Sequence, residues 1–322
     1  MNNNPLVSIV AVSYNQEEFI KDSLMSLLAQ DYSPLQIIIT DDNSTDHTFE
    51  IISEIAQSYQ GPHELIIHKN KKNLGIGGNR NTAIQLATGD FLATADGDDI
   101  SSPHRISTLV KYWHTLSPRP SLITTDAIDF TVSGEILEIK RCDDLENLTN
   151  PESFITQKPL FWGCTNFYSK DLIEKFGGIN DGVGADDQIM VLRAMLLNGA
   201  HSLHQALVQH RQGGVGSTTA MSARKKGALL IAKAPIAIAD INQMLEDARK
   251  ISKSSKIEQA LKKPIAEANF IKDIANSKSF SETYQIFRKY PDAPFFKKIR
   301  IYIYIHIPSI NQIYFIFKKN KV

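Results

Sequence analysis

Val7-Ser-Ile-Val-Ala-Val12 runs without a charge into the polar Ser13-Tyr-Asn15. A short apolar, β-branched run of this kind predicts a buried strand, and the abrupt polar change marks its carboxyl end. The pattern recurs twice. Leu35–Thr40 ends at Asp41-Asp-Asn-Ser-Thr-Asp46, and Phe91–Ala95 ends at Asp96-Gly-Asp-Asp99. Between the strands, Glu17–Ala29 carries Phe19, Ile20, Leu24, Leu27 and Leu28 at helical spacing. Thr48–Tyr59 and Asn81–Ala87 read as further helices, and Glu64–His68 as a strand. Strands alternating with helices over short links predict an α/β class with a mostly parallel sheet and right-handed crossovers. In such sheets ligands gather outside the carboxyl ends of the strands, where all three polar clusters fall.

Beyond residue 100 the alternation loosens. Helices are expected over Ser107–Leu116, Asp171–Phe176 and Asp187–Leu197, and a strand over Ser121–Phe130. Gly177-Gly178 suits a helix C-terminus. Arg211–Thr219 is rich in Gly, Ser and Thr and reads as a mobile loop. Ala223–Ala248 and Ser255–Ser277 look helical, with Pro235 and Pro264 expected to break or kink them. These features divide the chain into a body, residues 1–220, and a mainly helical extension, residues 221–322.

The 322 residues are 42% hydrophobic and 22% charged, a globular composition that excludes a disordered, collagenous or disulfide-scaffold chain. The formal net charge of zero conceals a division. Residues 1–220 hold 15 basic and 27 acidic side chains, a net of −12, and residues 221–322 hold 20 and 8, a net of +12. An acidic body with a basic tail implies different partners for each. Two cysteines, Cys142 and Cys164, form neither a disulfide framework nor a zinc-type spacing and read as buried thiols in a reducing compartment. No basic segment precedes Leu6–Val12, and no stretch of about 18 uncharged apolar residues occurs. A cytoplasmic body without a spanning helix is therefore expected.

Asp96-Gly97-Asp98-Asp99 sets three carboxylates within four residues. A solvated turn is one reading. The other is a divalent cation, Mg²⁺ or Mn²⁺, which would relieve their repulsion.

The ordered set Val7–Asn15, Thr40–Asp46, Asn73-Leu-Gly75, Arg80-Asn81, Ala87–Leu92, Asp96–Asp99, Pro103 and Arg105 resembles the nucleotide-sugar half of the family 2 glycosyltransferases. Phe176–Asp181 and Asp186-Asp187 resemble the acceptor half. The likeness covers roughly residues 6–220 and implies a GT-A fold, a Rossmann-like, mostly parallel central sheet flanked by helices. It also implies inverting transfer of a sugar from a nucleotide-sugar, a UDP-sugar foremost, to a glycan or lipid-linked hydroxyl in polysaccharide assembly, with no nucleic-acid partner.

The same resemblance implies roles. Ser13, Tyr14, Asn15, Asp41 and Asp42 would surround the nucleotide, Tyr14 stacking on the base and Asp42 accepting from a uracil N–H. Helix capping is the alternative for Asp41 and Asp42. Arg80 would sit near the phosphates and donor sugar, with a surface helix charge as the alternative. Asp96 would hold the donor, and Asp98 and Asp99 the metal. Asp187 would be the general base beside Asp186, although the family pattern usually reads Glu-Asp there. Arg211 would pair with phosphate oxygens, while His210 is better read as structural. Trp162, Thr165 and Asn166 fall where acceptor-side residues occur. Nucleotidyl transfer is the runner-up, but Ser13–Glu18 lacks the glycines and basic residues of a triphosphate loop. A non-catalytic glycan-binding protein is the third class, and the intact carboxylates argue against it.

Ile299-Arg-Ile-Tyr-Ile-Tyr-Ile-His-Ile307 alternates strictly and predicts a strand. With the aromatics and lysines that follow, residues 294–322 suit either contact with an anionic membrane at the cytosolic face or packing on the body.

Overall fold

The computed structural model describes residues 4–213, 223–251 and 254–307. The chain divides into two compact units, Met1–Ser217 and Thr218–Val322.

The first unit opens with β1 (Val7–Ser13), α1 (Ile20–Leu28), β2 (Leu35–Asp41), α2 (Thr48–Ser58), β3 (Glu64–Lys69), α3 (Gly75–Leu86) and β4 (Phe91–Asp96). It continues with β5 (Ile100–Ser101), α4 (Arg105–Thr115), β6 (Leu122–Thr131), β7 (Ile136–Lys140), α5 (Pro151–Gln157) and β8 (Phe167–Ser169). It closes with α6 (Asp171–Phe176), α7 (Asp186–Leu196) and β9 (Ala200–Gln212). One sheet runs β3-β2-β1-β4-β8-β6-β9-β5, with β7 paired to β6. The β3-β2-β1-β4 half is parallel, as the alternation predicts. β8, β5 and β7 join antiparallel, which the looser pattern after residue 100 did not announce.

Every residue of β1 and β2 is buried. Val7, Ile9, Ala11, Ile37 and Ile39 point into a core closed by Ile20, Leu24 and Leu27 of α1, Ile52 of α2, and Ile106 and Leu109 of α4. The opposite face is covered by α3, which packs on β1 and β2. Coverage on both faces explains the continuous apolar runs.

Two boundaries differ from expectation for identifiable reasons. α3 begins at Gly75 rather than Asn81. Its glycines weaken the helical signal, yet a Cβ at Gly77 would stand 2.3 Å from the Val183 carbonyl oxygen, so close packing requires glycine there. Arg211 and Gln212 belong to β9 rather than to a loop. The rest of the expected mobile loop, residues 214–219, lies outside the described residues.

The second unit holds α8 (Ala223–Lys250), α9 (Ser254–Ile274), α10 (Phe280–Lys289) and α11 (Phe295–His306). Helical assignment continues through Pro235 and Pro264, so neither ends its helix. The strand expected over residues 299–307 is instead α11. Isoleucine at every second position also satisfies the i, i+4 spacing of a helix. Ile301 packs with Phe270 and Ile274 of α9, and Tyr302 and Ile305 lie against the same cluster, which decides between the two. Lys298 is buried. Its Nζ donates to the carbonyls of Phe287 (2.7 Å) and Tyr290 (3.0 Å), satisfying the C-terminal end of α10. By length and composition, Lys225–Lys250 is one helix long and apolar enough to cross a membrane. It interrupts its apolar residues with Lys233 and Asp240, which is why no uncharged run shows in the sequence.

Candidate functional site

β1, β2 and β4 end along one edge, because the register sets Ser13 beside Asp41 and Val12 beside Asp96. Asp41 has no exposed surface. Its carboxylate accepts from the Ser44 amide (2.9 Å), from the Ser44 hydroxyl and from the Ser13 hydroxyl (3.3 Å). Asn15 takes a left-handed φ of 50°, which asparagine tolerates. Its amide donates to Ser44 Oγ (2.9 Å), and its Oδ1 accepts from Thr45 N (2.9 Å). The Ser13–Asn15 and Asp41–Asp46 segments therefore form one interlocked rim, from which the Tyr14 ring stands 37% exposed.

Asp42 is committed to the fold. Its carboxylate accepts from the amides of Leu74 (2.8 Å) and Gly75 (2.8 Å) and from Asn70 Nδ2 (3.0 Å). A carboxylate at the first turn of α3 satisfies orphan donors and complements the helix dipole. Asp42 thus serves the start of α3 rather than its own turn. Asn70, which holds Asp42, and Asn79, which accepts from Asn70, carried no recognisable signal in the sequence.

Arg80 is neither at the surface nor free. It is 3% exposed on α3. Its Nη2 lies 2.5 Å from Asp96 Oδ1 and its Nε 3.2 Å from Asp186 Oδ2. Its Nη1 donates to the carbonyls of Val10 and Ala95. This side chain joins β1, β4 and the start of α7 at one point.

Asp98, Asp99, Asp186 and Asp187 have raised pKa values. Burial raises Asp98, with the neighbouring charge of Asp96 adding to it. Asp99 is pushed up to about 7 by burial and by Asp96 and Asp98. Its Oδ1 accepts from the Arg211 amide (2.9 Å), while Oδ2 is buried without a hydrogen-bond partner. One ligand atom each from Asp96, Asp99 and Cys164 falls within a 4.8 Å group, which does not include Asp98. A carboxylate-rich set with an orphaned buried oxygen fits a hard divalent cation. Gly97 lets this turn close, since a Cβ there would stand 2.4 Å from Gln16 Oε1.

Arg211 clamps the same turn. Its Nε donates to the Asp98 carbonyl (2.8 Å), and its guanidinium lies over the rings of Phe19 (4.5 Å) and Phe130 (4.3 Å). His210 Nδ1 faces Asp129 Oδ1 at 3.0 Å.

Asp186 and Asp187 are the first residues of α7. Burial raises the pKa of Asp186, against the opposing pull of Arg80. Asp187 is pushed up to about 7 by burial and by the adjacent Asp186. Its Oδ1 accepts from the Gln188 amide (2.8 Å). Gly163 lies against it, for a Cβ there would stand 2.9 Å from Asp187 Cβ. Asp96 acts electrostatically on Asp98, Asp99, Asp186 and Asp187, so the fold gathers both halves of the sequence motif.

The three acceptor-side candidates differ in exposure. Thr165 and Asn166 have no exposed surface. Thr165 Oγ1 bonds with Thr124 Oγ1 and the Trp162 carbonyl, each at 2.8 Å, so it ties the Gly163–Thr165 turn to β6. Trp162 remains half-buried. Arg105, prominent only as part of the motif, is fully enclosed. It donates to the carbonyls of Thr94 and Cys164, each at 2.8 Å.

Comparison with known proteins places this arrangement. A 110-residue stretch is 37% identical to the UDP-Glc:alpha-D-GlcNAc-diphosphoundecaprenol beta-1,3-glucosyltransferase WfaP of Escherichia coli, covering 34% of this chain and 42% of that protein. The chain spans about two fifths of the length of the curated relatives it matches. Staphylococcus aureus TarS 1–349, solved with UDP, superposes with a TM-score of 0.54 at 19% identity, over 89% of this chain and 79% of that one. The mannosyltransferase PcManGT of Pyrobaculum calidifontis, solved with GDP-Man and Mn²⁺, gives 0.55 at 17% identity, over 97% and 88%. These likenesses show the fold, a GT-A-type α/β sheet flanked by helices. The family model described as "Glycosyl transferase family 2" matches residues 8–174, more than half of the chain and most of the parallel sheet with its carboxylate turn. On that match, the chain belongs to glycosyl transferase family 2.

Proposed function

We propose that residues 1–220 catalyse metal-dependent, inverting transfer of a sugar from a UDP-sugar to a hydroxyl of a glycan or lipid-linked acceptor in polysaccharide assembly. The observation that carries this reading is the convergence of Asp98, Asp99, Asp186 and Asp187 on Asp96, which Arg80 ties to Asp186. The donor class is supported by the names of WfaP and TarS, which speak of UDP-glucose and UDP.

In this reading the Ser13–Asn15 and Asp41–Asp46 rim receives the nucleotide, with the exposed Tyr14 ring offering a stacking face. Asp42 acts through the turn it holds, with Asp41 fixing the rim. Asp98 and Asp99, with Asp96 beside them, would hold Mg²⁺ or Mn²⁺. When bound, such an ion offsets charge on the diphosphate and on the departing nucleoside diphosphate. The −12 charge of the body makes that compensation necessary for an anionic donor. Arg211 contributes positive charge beside the same turn. Arg80 positions Asp96 and Asp186.

Asp187 takes the proton of the acceptor hydroxyl. The acceptor oxygen then attacks the anomeric carbon from the face opposite the leaving group, so the configuration inverts. A carboxyl near pKa 7 is well matched to this task at neutral pH. Trp162, half-buried near Gly163, is left as the acceptor-side aromatic. Phe295 and Phe296 are 61% and 83% exposed, which supports contact of residues 294–322 with an anionic membrane at its cytosolic face. Residues 308–322 of that segment lie outside the described residues.

The test is a donor screen over UDP-, GDP- and TDP-sugars with Mn²⁺, read as thermal stabilisation and then as product. Nucleoside diphosphate release with sugar transfer is expected, and pyrophosphate release would indicate nucleotidyl transfer instead. Full activity in both Asp98→Ala and Asp187→Asn would overturn the site.

A further inference from the structure

Away from the carboxylate edge, three side chains of different ligand chemistry meet. Asp126 Oδ1 accepts from the Cys142 amide (2.9 Å) and Cys142 Sγ (3.2 Å), and faces His204 Nδ1 at 3.2 Å. One ligand atom from each of Asp126, Cys142 and His204 lies within 4.8 Å of the others. Asp126 is 6% exposed, and among the described residues His204 is the basic side chain paired with it.

The backbone is shaped around this meeting. In the β6–β9 ladder Leu203 stands opposite Thr125, but Ala206 stands opposite Asp126. His204 and Gln205 therefore leave the ladder as a bulge, a device that re-aims a side chain. The segment carrying Cys142 is pinned to β9 by Ser202. Ser202 Oγ donates to the Asp143 carbonyl (2.6 Å) and accepts from the Leu145 amide (3.1 Å). The second imidazole nitrogen, Nε2, faces Asp144 Oδ1 at 2.6 Å. A carboxylate on the far nitrogen is the arrangement that orients metal-binding histidines.

We propose that Asp126, Cys142 and His204 form a site for a borderline-soft divalent cation, Zn²⁺ foremost, with Asp144 orienting His204. Zinc bonds of about 2.0–2.3 Å in tetrahedral array set ligand atoms roughly 3.3–3.7 Å apart, close to the separations already present. On binding the ion the Cys142 thiol releases its proton to solvent, and carboxylate and thiolate together then carry the charge that balances a dication. Sulfur and nitrogen donors favour zinc over the Mg²⁺ or Mn²⁺ that suits the carboxylate turn. The His204 side chain is 30% exposed, so an ion and a completing water have access.

The test is Co²⁺ titration of the purified, chelator-stripped full chain, followed by displacement with Zn²⁺. A thiolate-to-cobalt charge-transfer band with tetrahedral d–d intensity is expected at one equivalent. It should vanish in Cys142→Ala and persist in Cys164→Ala and Asp98→Asn. Asp144→Asn should weaken Co²⁺ binding by about tenfold or more. If Cys142→Ala does not fold, Cys142→Ser, which keeps a donor to Asp126, takes its place. Absence of the band, its survival without the Cys142 thiol, or its loss in Cys164→Ala would overturn the proposal. Any of these would leave a hydrogen-bonded cluster that merely ties the Cys142 segment to β9. Because the readout is spectroscopic, it stands or falls independently of glycosyl transfer.

Discussion

Arg80 and Asp186, 106 positions apart in the chain, form a buried ion pair with Nε 3.2 Å from Oδ2. The same guanidinium reaches Asp96, so one cation holds two carboxylates from opposite halves of the motif. Removing it leaves the buried Asp186 and the half-buried Asp96 uncompensated. Arg80→Ala should cost about 3–5 kcal/mol in urea unfolding. Arg80→Lys should recover little of that, because an ammonium cannot reproduce the planar fork. A loss below about 1 kcal/mol for Arg80→Ala would show that the pair is not structural.

Asp187→Asn preserves shape and removes the proposed base. A decrease in kcat of about 10²–10⁴ is expected, with little change in donor affinity. In the parent enzyme the rising limb of kcat/KM should titrate near the Asp187 value of about 7. A variant with the parent's pH profile would move the base elsewhere.

Gly163→Ala tests the positioning of Asp187. The new methyl would stand 2.9 Å from Asp187 Cβ and 3.2 Å from Oδ2, so the carboxylate must move. A displacement of this order costs about 10²-fold in rate when geometry controls the reaction. Unchanged kcat would mean that Asp187 tolerates displacement and is not held for chemistry.

Asp99 and Asp187 both titrate near 7 in the fold, above the ordinary value of 3.8. The folded state then binds more protons than the unfolded chain between about pH 4 and pH 7. Their contribution to stability is complete below the unfolded value and is lost as pH rises through the folded one. Melting of the chelated protein should fall across that window. Mn²⁺ should offset the fall above pH 7, because it favours ionised Asp99. A Tm insensitive to Mn²⁺ at pH 8 would count against an ion at this turn.

Gly227 of α8 faces Tyr304 of α11 so closely that a Cβ would stand 2.2 Å from the Tyr304 carbonyl oxygen. Gly227→Ala should destabilise the helical unit by about 1–3 kcal/mol through overpacking, read by differential scanning calorimetry of the whole chain. Retention of the parent transition would mean that α11 is not docked there.

The parallel half of the sheet was legible because strands buried on both faces need uninterrupted apolar runs, and Val7–Val12, Leu35–Thr40 and Phe91–Ala95 have them. The clustering of Asp96, Asp98 and Asp99 was legible, while Asp186-Asp187 stood out only through the family resemblance. α11 was not legible, because Ile301 and Ile305 satisfy both a strand and a helix until Phe270 and Ile274 are in place. Nor was the use of Arg80, Asp42 and Thr165. For each, nothing local distinguishes a ligand contact from an internal bond.

The sequence alone therefore determined the alternating strands and helices, the edge where polar residues collect, and the acids that belong there. These depend on periodicity and residue type, which are local properties. Tertiary structure decided which polar groups remain available. Burial and hydrogen-bond satisfaction arise between segments up to 113 residues apart, as between Arg211 and Asp98, and no local pattern encodes them.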